Sequence, residues 1–146
     1  VGDFLESRQV LLDNGDINNP RFKYAHQFKN ADLVIIAAPF WDLNFPALLK
    51  IYIENISVDG ITFDSTALGL TGLCKANNLV YLTTRGGIYE NNESELAIPI
   101  FKEMCKFFGI KHFDYVAADG MNVEGFDAES SLENAKQKAK ELAKTL

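Results

Sequence analysis

Residues 32–50, DLVIIAAPFWDLNFPALLK, join an apolar run to a helical pattern through an aromatic loop. Residues 32–38 are apolar without alternation, which is typical of a strand covered on both faces and therefore of a parallel sheet. From Pro46 to about Ile56 apolar residues recur at helical spacing, with proline at the helix start. The loop between them holds four large apolar side chains. It is core padding, a partner surface, or one wall of a site for a flat aromatic ligand.

The rest of the chain alternates strands and helices in the same way. The further elements that the pattern predicts are strands over Leu79–Thr84 and His112–Ala118, and helices from Pro20, from Glu95 to Phe108, and from a capping box at Ser130 to Leu146. The glycine-punctuated segment from Gly60 to Gly72 is predicted as a loop. This order predicts an α/β fold in one domain, residues 1–146, whose parallel strands are joined by right-handed crossovers.

Composition narrows the class of protein. The formal net charge of −6 argues against a nucleic-acid or acidic-membrane surface. No apolar run reaches the roughly 18 residues of a membrane span. The two cysteines, Cys74 and Cys105, have no metal-like spacing and fit a reducing cytoplasm. We therefore expect a cytoplasmic protein without a metal site.

The strand at residues 32–38 is predicted to be central in its sheet. It has no lysine, proline or bulge of the kind that protects an open edge. The upstream residues contain no strand-like run to pair with it. We therefore expect one or two N-terminal strands of the fold to be missing from this chain.

In a parallel sheet of this type the ligand lies beyond the carboxyl ends of the strands. Three loops follow the predicted strands there, at residues 39–45, 84–87 and 119–120. The first is aromatic and the second, Thr84-Arg85-Gly86-Gly87, lets backbone approach a ligand closely. Each has an ordinary alternative: the aromatic residues can be core, the glycines a simple turn, and Arg85 a solvated or ion-paired charge. Together they favour a planar heterocycle.

The paired motifs ADLVIIAAPFWDLNFPALLK (residues 31–50) and TTRGG (residues 83–87) closely resemble the FMN-dependent NADH azoreductases, a family of the flavodoxin-like quinone reductase superfamily. The resemblance covers nearly the whole chain. It implies a flavodoxin-like three-layer sandwich of which this chain is the C-terminal portion. An acyl carrier protein phosphodiesterase label occurs among relatives, but the chain has no phosphodiesterase metal cluster in its sequence, so we disfavour it.

The resemblance also implies a chemistry: ping-pong hydride transfer from NADH or NADPH, through FMN, to a quinone or azo compound. The implied cofactor-binding residues are Pro39, Phe40, Trp41, Asp42, Leu43, Thr84, Arg85, Gly86 and Gly87. The implied substrate pocket contains Phe63, Tyr89 and Phe107, with the site at the interface of a homodimer. No residue is assigned as a general acid or base, because water can supply the protons. Phe45 is expected to be a packing residue.

Two departures from the family pattern matter. Trp41 stands where the family usually has Tyr and can still form a wall for the ring. Asp42 stands where the family usually has Asn, so the resemblance does not imply a side-chain hydrogen bond from Asp42. The family's serine-rich phosphate loop has no counterpart in residues 1–18. Rival interpretations are a flavodoxin-type one-electron carrier and a truncated, non-catalytic domain.

Overall fold

The computed structural model describes residues 2–146, and their side chains from Glu6 onward. Its helices are α1 (Gly2–Asp13), α2 (Lys23–Asn30), α3 (Ala47–Ile56), α4 (Ala97–Phe108) and α5 (Ala128–Ala143), and its strands are β1 (Leu33–Ala37), β2 (Phe63–Thr66), β3 (Gly69–Gly72), β4 (Asn78–Thr84) and β5 (His112–Ala118). A short 3₁₀ turn, Pro20–Phe22, leads into α2. Among the described helices none is long and apolar enough to cross a bilayer. The predicted alternation of strands and helices is confirmed.

The central strand of the main sheet is β4. It pairs in parallel with β1 on one side, where Leu33 lies opposite Asn78, and with β5 on the other, where Asn78 lies opposite His112. The described part of the sheet therefore has the order β1-β4-β5. Because all three strands run the same way, the loops that follow β1, β4 and β5 meet at one edge of the sheet.

Helices cover the two faces of this sheet unequally. On one face α2, α3 and α4 pack over β1 and β4 in the largest core, which centres on the fully buried rings of Tyr81, Phe101 and Phe108. On the other face α5 packs over β5 through Ala135, against Val116. The chain therefore has the helix–sheet–helix layering that the family resemblance implies.

Within the described residues β1 is an edge strand, which agrees with the expectation that strands next to it in the fold are missing from this chain. Its outer edge pairs with no strand among residues 2–146. Leu33 and Ile35, which point to the α5 face, are 36% and 57% exposed. The strand is apolar on both faces, as predicted, but only one face is covered.

Two local predictions also need correction. The segment Gly60–Gly72 is not all loop, because β2 and β3 form an antiparallel hairpin there. Their four-residue strands are mostly exposed and rich in small or polar residues, so they lack the apolar pattern of a strand. Helix α5 begins before Ser130: Asp127 caps it by accepting a 2.9 Å hydrogen bond from the Ser130 N–H.

Residue 1 lies outside the described residues. The sequence of residues 1–18 contains no counterpart of the phosphate loop, and in the structure the described part of this segment contains α1. Leu11 and Leu12 of that helix pack against a small separate cluster that includes Phe22 and Val58. This part of the chain therefore contributes a helix beside the fold and no strand to the sheet.

Candidate functional site

A cavity of about 490 Å³ opens where β1 and β4 end. Its lining residues are Pro39, Phe40, Trp41, Asp42, Leu43, Thr84, Arg85, Gly86, Gly87, Tyr89, Met121 and Asn122. All nine residues predicted to contact the cofactor lie in this lining, together with Tyr89. The volume falls in the usual range for small-molecule and cofactor pockets. That these residues bind a cofactor remains a prediction.

The aromatic loop is a tight two-residue turn. Trp41 and Asn44 exchange backbone hydrogen bonds of 2.8 Å, and between them Asp42 and Leu43 have φ angles of 50° and 64°. This is the left-handed pair that a type I′ turn requires, where asparagine and glycine are the common residues. Leucine is disfavoured there, at roughly 1–2 kcal/mol. The turn is therefore held by its surroundings, including a bond from the Leu96 N–H to the Leu43 carbonyl.

The glycine loop directs its carbonyl groups to one side. The Arg85, Gly86 and Gly87 carbonyls accept hydrogen bonds of 2.9–3.1 Å from the N–H groups of residues 120–122. In a trans peptide unit the N–H points opposite to the C=O. The Gly86 and Gly87 N–H groups have no partner among residues 2–146, and the same holds for those of Asp42 and Leu43. Four residues of the cavity lining thus carry backbone N–H groups that no acceptor among residues 2–146 satisfies.

A buried ion pair supports the glycine loop from behind. The Arg85 Nε donates to Asp119 Oδ1 at 2.5 Å, and the two side chains are 4% and 12% exposed. The other carboxylate oxygen, Oδ2, accepts from the Tyr89 N–H at 2.8 Å and the Glu90 N–H at 3.0 Å. Of the alternatives left open for Arg85, the ion pair is the observed one. Asp119 was placed only in the loop after the third predicted strand, and its role was missed because its partners lie about 30 residues away in sequence.

The two glycines make room for side chains of this chain. A Cβ on Gly86 would come within 2.9 Å of the Asn122 Nδ2, and one on Gly87 within 2.9 Å of the Tyr89 ring. The Tyr89 ring in turn packs against Phe40, with ring centroids 4.6 Å apart. Phe40, Tyr89 and Trp41 therefore give the cavity an aromatic side, and Trp41 is 60% exposed within it.

Phe63 and Phe107 lie elsewhere in this chain. Their ring centroids are 4.5 Å apart, between the β2–β3 hairpin and α4, and neither ring lines the cavity. Their role in a substrate pocket stays a prediction. Phe45 is buried and packs against Phe101 in the core, as predicted.

Titratable groups near the core are shifted by burial. Burial raises the pKa of both thiols, Cys74 and Cys105, to about 11, so they are neutral at physiological pH. Burial also raises the pKa of Tyr81, whose strand leads directly into the glycine loop. Within the described residues, no group of three or more His, Cys, Asp or Glu side chains is arranged to hold a metal ion.

Comparisons with known proteins show the family to which this chain belongs. Residues 11–143 match a family model described as the flavodoxin-like fold. An FMN-dependent NADH:quinone oxidoreductase of Clostridium perfringens is 44% identical over 132 residues, which is 90% of this chain and 67% of that protein. The chain thus spans about two thirds of that relative's length.

Two crystal structures of Bacillus anthracis proteins are similar as well. An azoreductase from strain Sterne has a TM-score of 0.77 and 32% identity, over 86% of this chain and 62% of that one. An FMN-dependent NADH-azoreductase from strain Ames Ancestor, solved in complex with FMN, has a TM-score of 0.81 and 27% identity. The match covers 95% of this chain and 71% of that one.

Proposed function

Because this chain belongs to the flavodoxin-like fold family, we propose that its cavity holds the ring of FMN and that the protein passes electrons from NADH or NADPH to quinones or azo compounds. The observation that carries the proposal is that the lining of one cavity combines an aromatic side with four residues whose backbone N–H groups have no partner among residues 2–146. A flavin ring is flat and apolar across its faces and carries acceptor atoms at its edge, so both features are complementary to it.

Each part of the lining has a distinct role in this proposal. Phe40 and Trp41 contact the ring, and the Asp42 and Leu43 amides donate to one stretch of its edge. The Gly86 and Gly87 amides donate to another stretch, where they stabilise negative charge by preorganised dipoles. Bound flavin would supply the hydride chemistry itself. Asp42 is exposed, so its role rests on its backbone and not on a side-chain hydrogen bond.

The phosphate of FMN is not assigned to any residue. Arg85 is the cationic residue of the cavity lining, and its side chain already forms an ion pair with Asp119. Riboflavin, which has the same ring without the phosphate, is therefore a better probe of the cavity than FMN alone.

We also propose that the protein is a cytoplasmic homodimer. An apolar groove of about 690 Å³ on the outer side of α4, lined among others by Leu70, Ile100, Met104 and Phe107, would be covered by a second copy. In that dimer Phe63, Tyr89 and Phe107 would contribute to the substrate pocket. The free thiols of Cys74 and Cys105 fit a reducing compartment. Light scattering on the wild type and on Ile100→Lys tests the dimer: the charge should yield monomers.

Trp41 provides the test of ring binding, because it is the single tryptophan of the chain and lines the cavity. Titration with riboflavin, and separately with FMN, should quench its emission to saturation at one equivalent. Phe40→Ala should weaken binding by about 2- to 12-fold, the equivalent of 0.5–1.5 kcal/mol for a lost aromatic contact. Tyr24→Ala, an exposed ring on α2 outside the cavity, should change nothing. Absence of quenching by both flavins would refute ring binding.

Electron transfer is tested on the flavin-loaded protein. Anaerobic mixing with NADH or NADPH should bleach the flavin absorbance in one phase, and a quinone should restore it. A one-electron carrier would not be bleached directly by the nicotinamide, so that result would favour the flavodoxin-type alternative. A preparation that stays colourless after incubation with FMN would favour a non-catalytic domain.

A further inference from the structure

Both carboxylate oxygens of Asp119 accept hydrogen bonds from the segment 85–90. Oδ1 holds the Arg85 side chain, and Oδ2 holds the N–H groups of Tyr89 and Glu90. These contacts fix the two ends of the segment 85–90, which contains Gly86 and Gly87. Asp119 itself does not line the cavity, so its influence on a ligand there passes through the loop.

The backbone beside Asp119 fixes the same segment a second time. Gly120, Met121 and Asn122 donate their N–H groups to the carbonyls of residues 85–87. Gly120 has a φ of 78° and allows the chain to turn immediately after the carboxylate. The carboxylate and the three amides therefore act from consecutive residues, and together they determine which way the glycine amides point.

The pair also balances charge next to the cavity. Arg85 is 3% exposed and is a residue of the cavity lining, and its side chain is held by Asp119, which lies outside that lining. Removal of the facing carboxylate would leave this cation buried and uncompensated, a strongly unfavourable state. The uncompensated charge would also attract any negative charge that develops on a ligand in the cavity.

We propose that Asp119 is a positioning residue of the flavin site: it holds the glycine loop in its ligand-binding conformation and balances the charge of Arg85 beside the ring. This inference rests on the proposed flavin binding and adds a residue and a redox role to it. Loss of an outer-shell partner at metal sites weakens binding or activity by about 10- to 100-fold, and we expect an effect of the same order at this loop.

The test compares Asp119→Asn with a matched control, Asp127→Asn. Asp127 also loses one charge, but it is exposed, caps α5 and lies outside the cavity lining, and asparagine is an equally good cap. The measurements are the dissociation constants of oxidised and reduced FMN and the midpoint potential of the bound flavin, taken at a temperature at which each variant is folded by circular dichroism. Asp119→Glu, which keeps the charge, is the rescue variant.

Asp119→Asn should weaken the binding of oxidised FMN by about 10- to 100-fold. Reduced FMN carries more negative charge, so its binding should be weakened about tenfold less than that of oxidised FMN. This difference corresponds to a rise of about 30 mV in the midpoint potential of the bound flavin. Asp119→Glu should keep the wild-type potential, and Asp127→Asn should keep both quantities. Should Asp119→Asn fail to fold, Asp119→Glu is decisive. Its displaced carboxylate should weaken FMN binding while its retained charge keeps the wild-type potential, and wild-type affinity in that variant would overturn the inference.

Wild-type affinity or wild-type potential in folded Asp119→Asn would overturn the inference while flavin binding by the wild type stands. A wild-type chain that takes up neither riboflavin nor FMN would overturn the proposed function, and the role of Asp119 with it.

Discussion

Replacement of Gly87 by alanine should destabilise the aromatic side of the cavity. The new Cβ would lie 2.9 Å from the Tyr89 Cε2, whereas carbon atoms pack best at about 3.5 Å or more, so the ring must retreat by about 0.6 Å. Its contact with Phe40, at 4.6 Å between centroids, is already at the short end of the favourable range. Such overpacking costs about 1–3 kcal/mol. Gly87 does not have a positive φ, so the entropy gain of alanine offsets about 0.4–1 kcal/mol.

The expected net loss is therefore about 1–2 kcal/mol in the free energy of unfolding, measured by urea denaturation. Gly86→Ala is the matched control, because its Cβ would meet only the mobile end of the Asn122 side chain and should cost less than about 1 kcal/mol.

A double-mutant cycle isolates the ring contact. In a Tyr89→Ala background the space beside Gly87 is free, so Gly87→Ala should become neutral or slightly stabilising, by up to about 1 kcal/mol. The coupling energy between the two positions should then be about 1–3 kcal/mol. Effects that add to within about 0.5 kcal/mol would refute the steric explanation.

Three further outcomes are expected. Phe101→Ala, which empties the fully buried centre of the core, should lower the free energy of unfolding by about 3–5 kcal/mol in urea titrations, and a loss below about 1 kcal/mol would contradict the packing described. Gly72→Ala would place a Cβ 2.0 Å from the Gly109 backbone nitrogen, and should cost at least about 3 kcal/mol or prevent folding as judged by circular dichroism; wild-type stability would contradict that close approach. Because burial raises the pKa of Cys74 and Cys105 from 9.0 to about 11, the unfolded thiols ionise first and stability should fall as the pH rises from about 9 to about 11. Iodoacetamide should label the folded chain slowly at pH 8, and labelling as fast as in urea would contradict the shift.

Much of the sheet could be predicted because its strands are continuous apolar runs. The predicted bounds of β5 match the observed ones, and β4 begins one residue earlier than predicted. The unpaired outer edge of β1 agrees with the expectation that neighbouring strands are missing from this chain, because an apolar strand without lysine, proline or a bulge is typical of the interior of a sheet. The β2–β3 hairpin escaped detection since its strands are short and exposed, and Gly69 interrupts their pattern.

The candidate site also has residues that could be predicted from the sequence and residues that could not. Residues 39–43 and 84–87 could be brought together from sequence, because parallel strands carry their following loops to one edge. Asp119 and Asn122 could not, since their contacts with Arg85 and Gly86 depend on how two loops approach each other in space. The Asp-Gly pair at 119–120 is a common turn signal, which gave no reason to look for an ion pair.

The central position of β4 has a consequence for how the chain folds. Its partner residues lie far away in sequence: Leu33 is 45 residues before Asn78, and His112 is 34 residues after it. Contacts at such separations are formed slowly, because a long loop must be closed before any strand pairing is gained. Among the described strands, both pairs of the parallel sheet include β4, so neither can form during synthesis until β4 has left the ribosome. The apolar β1 strand therefore lacks its β4 partner while about 45 further residues are made, and unpaired apolar strands of this kind are prone to aggregation.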